Sequence, residues 1–188
     1  GKMTVDGNTY VLPEPFFVIA TQNPFGSAGT QLLPDSQLDR FMVRLNLGYP
    51  SITDEVEIMK NRQISNPLDT IQAIITPQMM TTFQKQVDQV FISDEIYYYI
   101  VAIVDATRHN EYIEQGASPR GSLATMKVAK ACAFMHDRDY VIPSDVKDVV
   151  HMVLAHRIIL NYDAKMKEMS AYSLLDDILD HIREPGIE

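Results

Sequence analysis

The sequence predicts an α+β chain, in which a β-hairpin and two sheet strands with helices are followed by an all-α helical bundle. Residues 3–12 alternate apolar and polar side chains around an Asp-Gly pair, which is typical of a hairpin. Residues 16–20 form a continuous apolar run, which is typical of a strand covered on both faces. Strand-like runs then largely disappear. We therefore divide the chain into residues 1–66, which hold the strands, and residues 67–188, which form the bundle.

The N-terminal part is expected to hold the strands and the first two helices. Asp6-Gly7 is a strong signal for a two-residue hairpin turn, because both residue types tolerate a positive φ. Residues 41–47 predict a second buried strand, which the Tyr-Pro pair after them ends. A short helix is expected over residues 35–40, and Ser51 is expected to cap a longer one.

The helical part is expected to contain four helices and a final amphipathic segment. Thr76-Pro77 places a proline at the first position of the first helix. Ser93 precedes a helix so apolar that we expect it to be central, and residues 122–136 form an alanine-rich helix. Ser144 is predicted to cap the fourth helix, and residues 172–182 form the last segment.

Composition limits the classes of function. The formal net charge of −9 argues against broad binding to nucleic acid or to an anionic membrane, because either surface would repel the chain. No apolar run approaches the roughly 18 residues that a membrane-spanning helix needs. The single cysteine, Cys132, cannot form an internal disulfide, so a reducing, cytoplasmic location is expected.

The first candidate functional residue is Asn23, which follows the apolar run in V-I-A-T-Q-N-P. Ligands in open parallel sheets collect at the carboxyl ends of strands, where an amide can orient a water molecule or a phosphate oxygen. An ordinary Asn-Pro turn explains the same residue without any ligand. The residue alone leaves both interpretations open.

Two arginines are the other candidates. Arg40 directly precedes the predicted strand 41–47, either as a solvated helix end paired with Asp39 or Asp35, or as a group that stabilises charge on a neighbour's phosphoryl group. Arg120 lies in G-A-S-P-R-G, before the alanine-rich helix, where a guanidinium and free backbone N–H groups form an anion site. A capping loop with an incidental arginine is the alternative.

No metal site is predicted. His151 and His156 are five residues apart and so do not share a helix face, and we assign the histidines to helix surfaces and packing. Cys132 lies between alanines and is interpreted as a small buried residue. The three consecutive tyrosines at 97–99 are interpreted as core and rim rather than as a base-stacking platform, given the acidic net charge.

The ordered set of motifs resembles the MoxR family of AAA+ ATPases. The chain contains, in this order, T-V-D-G-N-T-Y-V-L-P-E-P-F-F-V-I-A-T-Q-N-P, L-P-D-S-Q-L-D-R-F, G-Y-P-S, G-A-S-P-R-G and L-A-H-R. Each stretch is modest by itself, but the ordered set is highly specific and covers essentially the whole chain. The resemblance implies the C-terminal part of a MoxR-type module, an α+β fragment of the α/β AAA+ core followed by a helical lid.

The resemblance implies a role for each candidate residue. Asn23 matches sensor 1, which positions the attacking water near the γ-phosphate, and Arg40 matches the arginine finger, which reaches the ATP of the adjacent subunit. These two are the expected catalytic residues. Arg120 matches sensor 2, so that Asn23 and Arg120 are the expected nucleotide contacts. The hairpin at Asp6-Gly7 matches the pre-sensor-1 hairpin, and residues 67–188 match the lid.

The resemblance also implies ATP and Mg²⁺ as cofactors of a full-length parent that forms a homo-oligomeric ring, expected to be a hexamer. It implies a von Willebrand factor A-domain protein as a partner, and neither nucleic acid nor membrane insertion is expected. The motif G-x-x-x-x-G-K-[ST] and an acidic Walker B stretch are absent from the sequence, and we expect them upstream of Gly1. The chain alone is then expected to bind ATP poorly and to hydrolyse none.

Two alternative functions differ in class from an ATP-driven remodelling enzyme. One is a non-enzymatic helical interaction domain that carries a degenerate ATPase remnant. The other is a DNA-translocating helicase module of the MCM type. The acidic charge and the full set of motifs count against the helicase, and remodelling or maturation of partner proteins is the function that the resemblance implies.

Overall fold

Helices dominate the structure, and its strands are short. The structure is a computed structural model that describes residues 1–22, 33–64 and 66–186. Within these ranges the elements are, in chain order, β1 (Lys2–Val5), β2 (Asn8–Val11), α1 (Asp35–Leu38), α2 (Ile52–Ile64), a 3-10 helix (Pro67–Thr70), α3 (Pro77–Gln89), α4 (Asp94–His109), β3 (Ile113–Gln115), α5 (Pro119–Met135), α6 (Pro143–Leu154), a 3-10 helix (Ala155–Arg157), β4 (Ile159–Leu160), α7 (Tyr162–Met166) and α8 (Ala171–His181). The predicted α+β class with a helical C-terminal part is confirmed. In the described ranges, no helix has both the length and the apolar character needed to cross a bilayer.

The first of two compact units comprises Gly1–Phe17 and Leu45–Phe83. β1 and β2 pair in an antiparallel ladder, with Lys2 opposite Val11. The Asp-Gly turn between them has φ angles of 49° and 81°. A two-residue turn that follows the strand twist requires positive φ at both positions, and this pair supplies it. The predicted hairpin is confirmed.

The helices of this unit begin where the sequence predicts. Ser51 and Asp54 form a reciprocal cap at the start of α2. The Asp54 N–H donates to Ser51 Oγ over 3.2 Å, and the Ser51 N–H donates to the Asp54 carboxylate over 3.3 Å. α3 begins at Pro77, in the first helical position, where its missing N–H costs nothing.

The two predicted sheet strands are wrong. Residues 16–20 and 41–47 are all described, and neither range contains a strand. A strand exists only through hydrogen bonds to a neighbour, and the first range has no such neighbour in the described part, with Ile19 89% exposed. In the second range the Arg44 N–H donates to the Met152 carbonyl over 2.8 Å, so its backbone bonds to a helix end instead.

The second unit comprises Val18–Arg44 and Gln84–Glu188 and contains the hydrophobic core. α5 and α6 pack closely against each other, and α4 and α8 pack against them. Small side chains on α5 allow this approach, because Ala129 and Ala133 have no exposed surface. α6 supplies branched side chains that are equally buried, namely Val146, Val150 and Val153.

α4 contacts the other long helices but keeps one aromatic face exposed. Ser93 Oγ accepts a hydrogen bond from the Ile96 N–H over 3.4 Å, which confirms the predicted cap. Tyr99 is buried, whereas Tyr97 is 42% exposed and Tyr98 is 77% exposed. The predicted central helix is therefore central along one face only. The predicted last segment is confirmed as α8.

Asp145 caps α6 in place of Ser144, which was predicted to do so. The helix begins two residues earlier than expected, and the Asp145 carboxylate accepts from the Ile142 N–H over 2.9 Å. Arg138 donates two hydrogen bonds to the same carboxylate, of 2.5 and 2.6 Å. Burial alone would raise the pKa of Asp145, but the bonds from Arg138 and Ile142 outweigh it and hold that pKa below its ordinary value.

Replacing the buried carboxylate is expected to destabilise the fold. Asp145→Asn should lower the free energy of unfolding by about 2–3 kcal/mol, because it leaves the Arg138 guanidinium beside a neutral group. Asp148→Asn, on the exposed side of the same helix, is the matched control and should change it by less than about 0.5 kcal/mol. Urea unfolding followed by circular dichroism measures both. Equal effects would contradict the assignment.

Candidate functional site

Two of the three predicted site residues lie within the described ranges. Asn23, predicted as sensor 1, falls in residues 23–32, which are outside them, so its role stays a prediction. Arg40 and Arg120 are both described, and both belong to the second compact unit. The site is therefore built here from these two arginines and from the residues that hold them.

Arg40 ends a single helical turn. The Asp39 N–H donates to the Asp35 carbonyl over 2.9 Å, and the Arg40 N–H donates to the Gln37 carbonyl over 3.1 Å. This tight turn places neighbouring residues in different environments, because Arg40 is exposed while the Asp39 side chain is only 22% exposed. The turn therefore exposes the Arg40 side chain to solvent and leaves the Asp39 carboxylate mostly buried.

Arg120 is positioned by a loop that is hydrogen-bonded to the end of α4. The Ala117 N–H donates to Thr107 Oγ1 over 3.0 Å, and the Ala117 carbonyl accepts from Arg108 Nε over 2.9 Å. Ser118 then caps α5 by accepting from the Arg120 N–H over 3.3 Å. Arg120 consequently lies in the first turn of α5, with its direction set by α4.

Close packing explains the two glycines that flank this loop. A Cβ atom on Gly116 would lie 2.6 Å from the Thr107 carbonyl oxygen and 2.7 Å from the Arg108 backbone. A Cβ atom on Gly121 would lie 3.1 Å from the Leu154 side chain. At Gly116 the motif G-A-S-P-R-G therefore brings backbone segments together at a distance that a larger residue does not allow, whereas at Gly121 the Leu154 side chain would have to shift slightly.

Arg40 and Arg120 line one surface groove of about 330 Å³. Its remaining lining residues are Asp39, Met42, Leu123, Ala124, Lys127 and Arg157. Arg40, Arg120 and Lys127 are all exposed, so positive charge is concentrated here although the chain carries a net charge of −9. Exposed guanidinium groups of this kind suit an anionic oxygen ligand such as a phosphate.

Asp39 connects the two arginine-bearing segments. Its carboxylate lies 3.2 Å from Arg157 Nε and 3.7 Å from Arg120 Nη1. The same carboxylate accepts from the Ser118 hydroxyl over 3.1 Å. The Asp39 carboxylate therefore contacts the Ser118 cap of α5, the exposed Arg120 and the buried Arg157 of the 3-10 helix that follows α6.

The buried arginine, Arg157, holds the chain on both sides of Arg40. Its side chain is 2% exposed, and its Nη2 donates to the Phe41 carbonyl over 2.5 Å. Burial lowers the pKa of Arg157, and the charge of Asp39 opposes that shift. Burial, followed by the nearby charge of Arg157, also lowers the pKa of His156, whose Nε2 accepts from Arg157 Nη1 over 3.0 Å.

Sequence reasoning missed this network. The sequence indicates Asp39 only as a partner of Arg40, and it contains Arg157 only as part of the motif L-A-H-R. The two residues are 118 positions apart, and no spacing rule joins them. One usable signal is that Arg157 lies three residues after Leu154, the end of the apolar helix α6, where a guanidinium that becomes buried must find acceptors.

One cluster in the described part of the chain has side chains of the metal-ligating type. Ligand atoms of Cys132, His136 and Asp145 lie within 4.8 Å of one another. Both carboxylate oxygens of Asp145 already accept from Arg138, whose positive charge disfavours a cation at the same place. Burial, together with the negative charge of Asp145, raises the pKa of the Cys132 thiol, which keeps it protonated and a poor ligand.

Two family models match the chain. The model for the ATPase family associated with various cellular activities (AAA) matches residues 1–43, and the model for the AAA lid domain matches residues 105–178. Arg40 lies in the first match and Arg120 in the second. YeaC of Bacillus subtilis is 41% identical over 185 residues, and the chaperone MoxR1 of Mycobacterium tuberculosis is 34% identical over 194 residues. The chain belongs to the MoxR family of AAA+ ATPases. The predicted resemblance is confirmed.

The MoxR-family relatives are longer than this chain. The matches cover 98% of this chain but 58% of YeaC and 51% of MoxR1, so the chain spans about half the length of these relatives. A solved structure of a candidate ATPase from Cytophaga hutchinsonii is 36% identical, with a TM-score of 0.89, and the match covers 98% of this chain and 59% of that one. The fold is therefore shared with a protein of the same class.

Gly116→Ala is expected to destabilise this MoxR-family chain. A Cβ atom would meet backbone atoms at 2.6–2.7 Å, which cannot move aside as a flexible side chain can, and a cost of roughly 2–4 kcal/mol in unfolding free energy follows. Gly186→Ala is the matched control, because nothing lies within 4 Å of its added Cβ. Thermal and urea unfolding measure both variants. A Gly116 variant as stable as the Gly186 variant would contradict the close approach.

Proposed function

We propose that this chain is the sensor and lid part of an ATPase that couples ATP binding and hydrolysis to the remodelling or maturation of partner proteins. The observation that carries the proposal is that Arg40 and Arg120 line one exposed groove on a chain of this family. Within the proposal, residues 1–66 belong to the α/β core and residues 67–188 form the lid. The family matches to residues 1–43 and 105–178 support this division.

The proposed roles follow from the charge that phosphoryl transfer develops. Negative charge spreads over the γ-phosphate oxygens in the transition state, and pre-positioned cations stabilise it. Arg40 acts as the arginine finger on the ATP of an adjacent subunit, Arg120 acts as sensor 2, and Asn23 acts as sensor 1. Because Arg40 and Arg120 line the same groove, both act on the same nucleotide. Arg120, as sensor 2, then contacts the ATP of the adjacent subunit, as Arg40 does.

The remaining parts of the nucleotide site come from outside these 188 residues. Neither G-x-x-x-x-G-K-[ST] nor an acidic Walker B stretch occurs in the sequence. The lysine, the hydroxyl and the acid of those motifs bind the phosphates and Mg²⁺ in this class of enzyme. ATP and Mg²⁺ are accordingly the proposed cofactors of the whole protein.

A homo-oligomeric ring is part of the proposal, because a finger that acts on a neighbour requires one. The curated name of one relative, chaperone MoxR1, supports protein remodelling as the output. A von Willebrand factor A-domain protein is the proposed partner class, and the hairpin at Asp6-Gly7 is a proposed contact element. A cytoplasmic location is proposed as well, since the single thiol, Cys132, is buried and unpaired with another cysteine.

The chain of 188 residues alone is expected to show no ATP turnover, whereas the whole protein turns over ATP. The physical reason is that positioning and charge from Arg40 and Arg120 do not hold a nucleotide without a P-loop lysine and a magnesium ligand. Phosphate release from equal molar amounts of the two proteins measures this. Clear ATPase activity from the 188-residue chain would contradict the proposed division of the site.

In the whole protein, Arg40→Ala is expected to lower kcat by about 10³-fold while ATP affinity stays within about twofold, as for other trans arginine fingers. Arg62→Ala, on the exposed helix α2, is the control and should retain wild-type turnover. Steady-state phosphate release gives kcat, and calorimetry with a non-hydrolysable ATP analogue gives affinity. Equal losses of affinity and turnover would argue against a finger that acts across subunits. Unchanged turnover would overturn the proposed function.

A further inference from the structure

The guanidinium of Arg157 is surrounded by the chain that carries Arg40. Its Nη2 donates to the carbonyls of Phe41 and Asp39 over 2.5 and 3.3 Å, and its Nη1 donates to the carbonyl of Met42 over 3.2 Å. These carbonyls lie on both sides of Arg40 in the sequence. A planar group with five N–H donors can hold several acceptors in fixed directions at once, which a lysine cannot do.

Arg157 is also anchored to the lid on its other side. It donates to the Val153 carbonyl, one turn earlier at the end of α6, and to His156 Nε2 over 3.0 Å. Val153 and Leu154 have no exposed surface, so this helix end is part of the hydrophobic core. Arg157 therefore fixes the segment around Arg40 to the core of the second unit.

Asp39 extends the same linkage to Arg120. Its carboxylate forms an ion pair with Arg157 and accepts from the Ser118 hydroxyl, and Ser118 caps the helix that begins with Pro119-Arg120. A buried guanidinium requires a counter-charge, so the position of the Asp39 carboxylate is determined by Arg157. Ser118, which caps α5, is therefore also linked to the Asp39–Arg157 ion pair.

We propose that Asp39 and Arg157 are positioning residues that hold Arg40 and Arg120 on one surface, so that the finger segment and the sensor-2 helix move as one body. This role rests on the proposed function, since it concerns the residues that act on the nucleotide. In the proposed role, Asp39 and Arg157 act without binding the phosphate themselves. Their effect is exerted through the geometry of the two exposed arginines.

The test uses Asp39→Asn in the whole protein. Asparagine keeps the size and one acceptor oxygen but removes the charge that Arg157 requires. The expected result is a fall in kcat of about tenfold or more, with ATP affinity within about twofold and with recovery of most of the turnover in Asp39→Glu. Asp35→Asn, an exposed acid in the same helical turn, is the control and should retain wild-type kcat.

A double variant separates positioning from general damage. If Asp39 acts through the two arginines, Asp39→Asn should lower kcat less in an Arg120→Ala background than in the wild type, because only its effect through Arg40 remains. An equal fold-loss in both backgrounds would overturn the inference, as would an Asp39→Asn protein with wild-type kcat. Loss of activity in Arg40→Ala with full activity in Asp39→Asn rejects the positioning role alone. Full activity in Arg40→Ala rejects the proposed function itself.

If thermal unfolding shows that Asp39→Asn does not fold, Ser118→Ala tests the linkage between Asp39 and α5 instead. This variant removes the hydroxyl that donates to Asp39 but leaves the Asp39–Arg157 ion pair in place. A fall in kcat of about threefold or more, with unchanged ATP affinity and an unfolding temperature within a few degrees of wild type, supports the linkage. Wild-type kcat in Ser118→Ala overturns it.

Discussion

The structure around the candidate site depends on one buried charge. Arg157 is 2% exposed, and a guanidinium removed from water to that extent is stable only with acceptors for its N–H groups and a negative charge beside it. The carbonyls of Phe41 and Met42 accept from Nη2 and Nη1, and the carboxylate of Asp39 supplies the negative charge 3.2 Å from Nε. The segment that carries Arg40 is consequently fixed in place by the requirements of a different arginine. The first two carbonyls of the predicted strand 41–47 are thus bound to a side chain, and the Arg44 N–H is bound to Met152, rather than to a neighbouring strand.

The arginines of the groove therefore divide into two kinds. Arg157 has its charge compensated inside the protein, whereas Arg40 and Arg120 are exposed and retain donors for an external ligand. The loop before α5 positions Arg120, one of the two exposed arginines. Thr107 and Arg108 bind both sides of the Ala117 backbone, so the direction of Arg120 is set by α4 rather than by the loop itself. A local positive surface on a chain of net charge −9 arises in this way, through geometry and against the overall composition.

Local signals in the sequence predicted local structure well. The Asp-Gly turn, the caps at Ser51 and Ser93 and the proline at the start of α3 each depend on residues within four positions, and all are observed. The strand predicted over residues 16–20 depends on a distant partner, which periodicity does not specify, and it is absent. The cap predicted at Ser144 was lost to Asp145, because Arg138 fixes that carboxylate at the helix start. The pairing of Asp39 with Arg157 across 118 positions could be found only from the fold.

The two ion pairs of Asp39 differ in strength, and this difference bears on how the groove accepts an anion. Arg157 Nε lies 3.2 Å from the carboxylate with almost no solvent exposure, whereas Arg120 Nη1 lies 3.7 Å away with the side chain 59% exposed. Exposed pairs contribute about 0–1 kcal/mol, while breaking a buried pair costs about 3–5 kcal/mol. The exposed Asp39–Arg120 pair is therefore the weaker of the two, and under the proposed function a bound phosphate would displace Asp39 from Arg120 at little cost and leave it paired with Arg157. In that proposal the Asp39 carboxylate would stay in place beside Arg157 while Arg120 exchanged it for the phosphate.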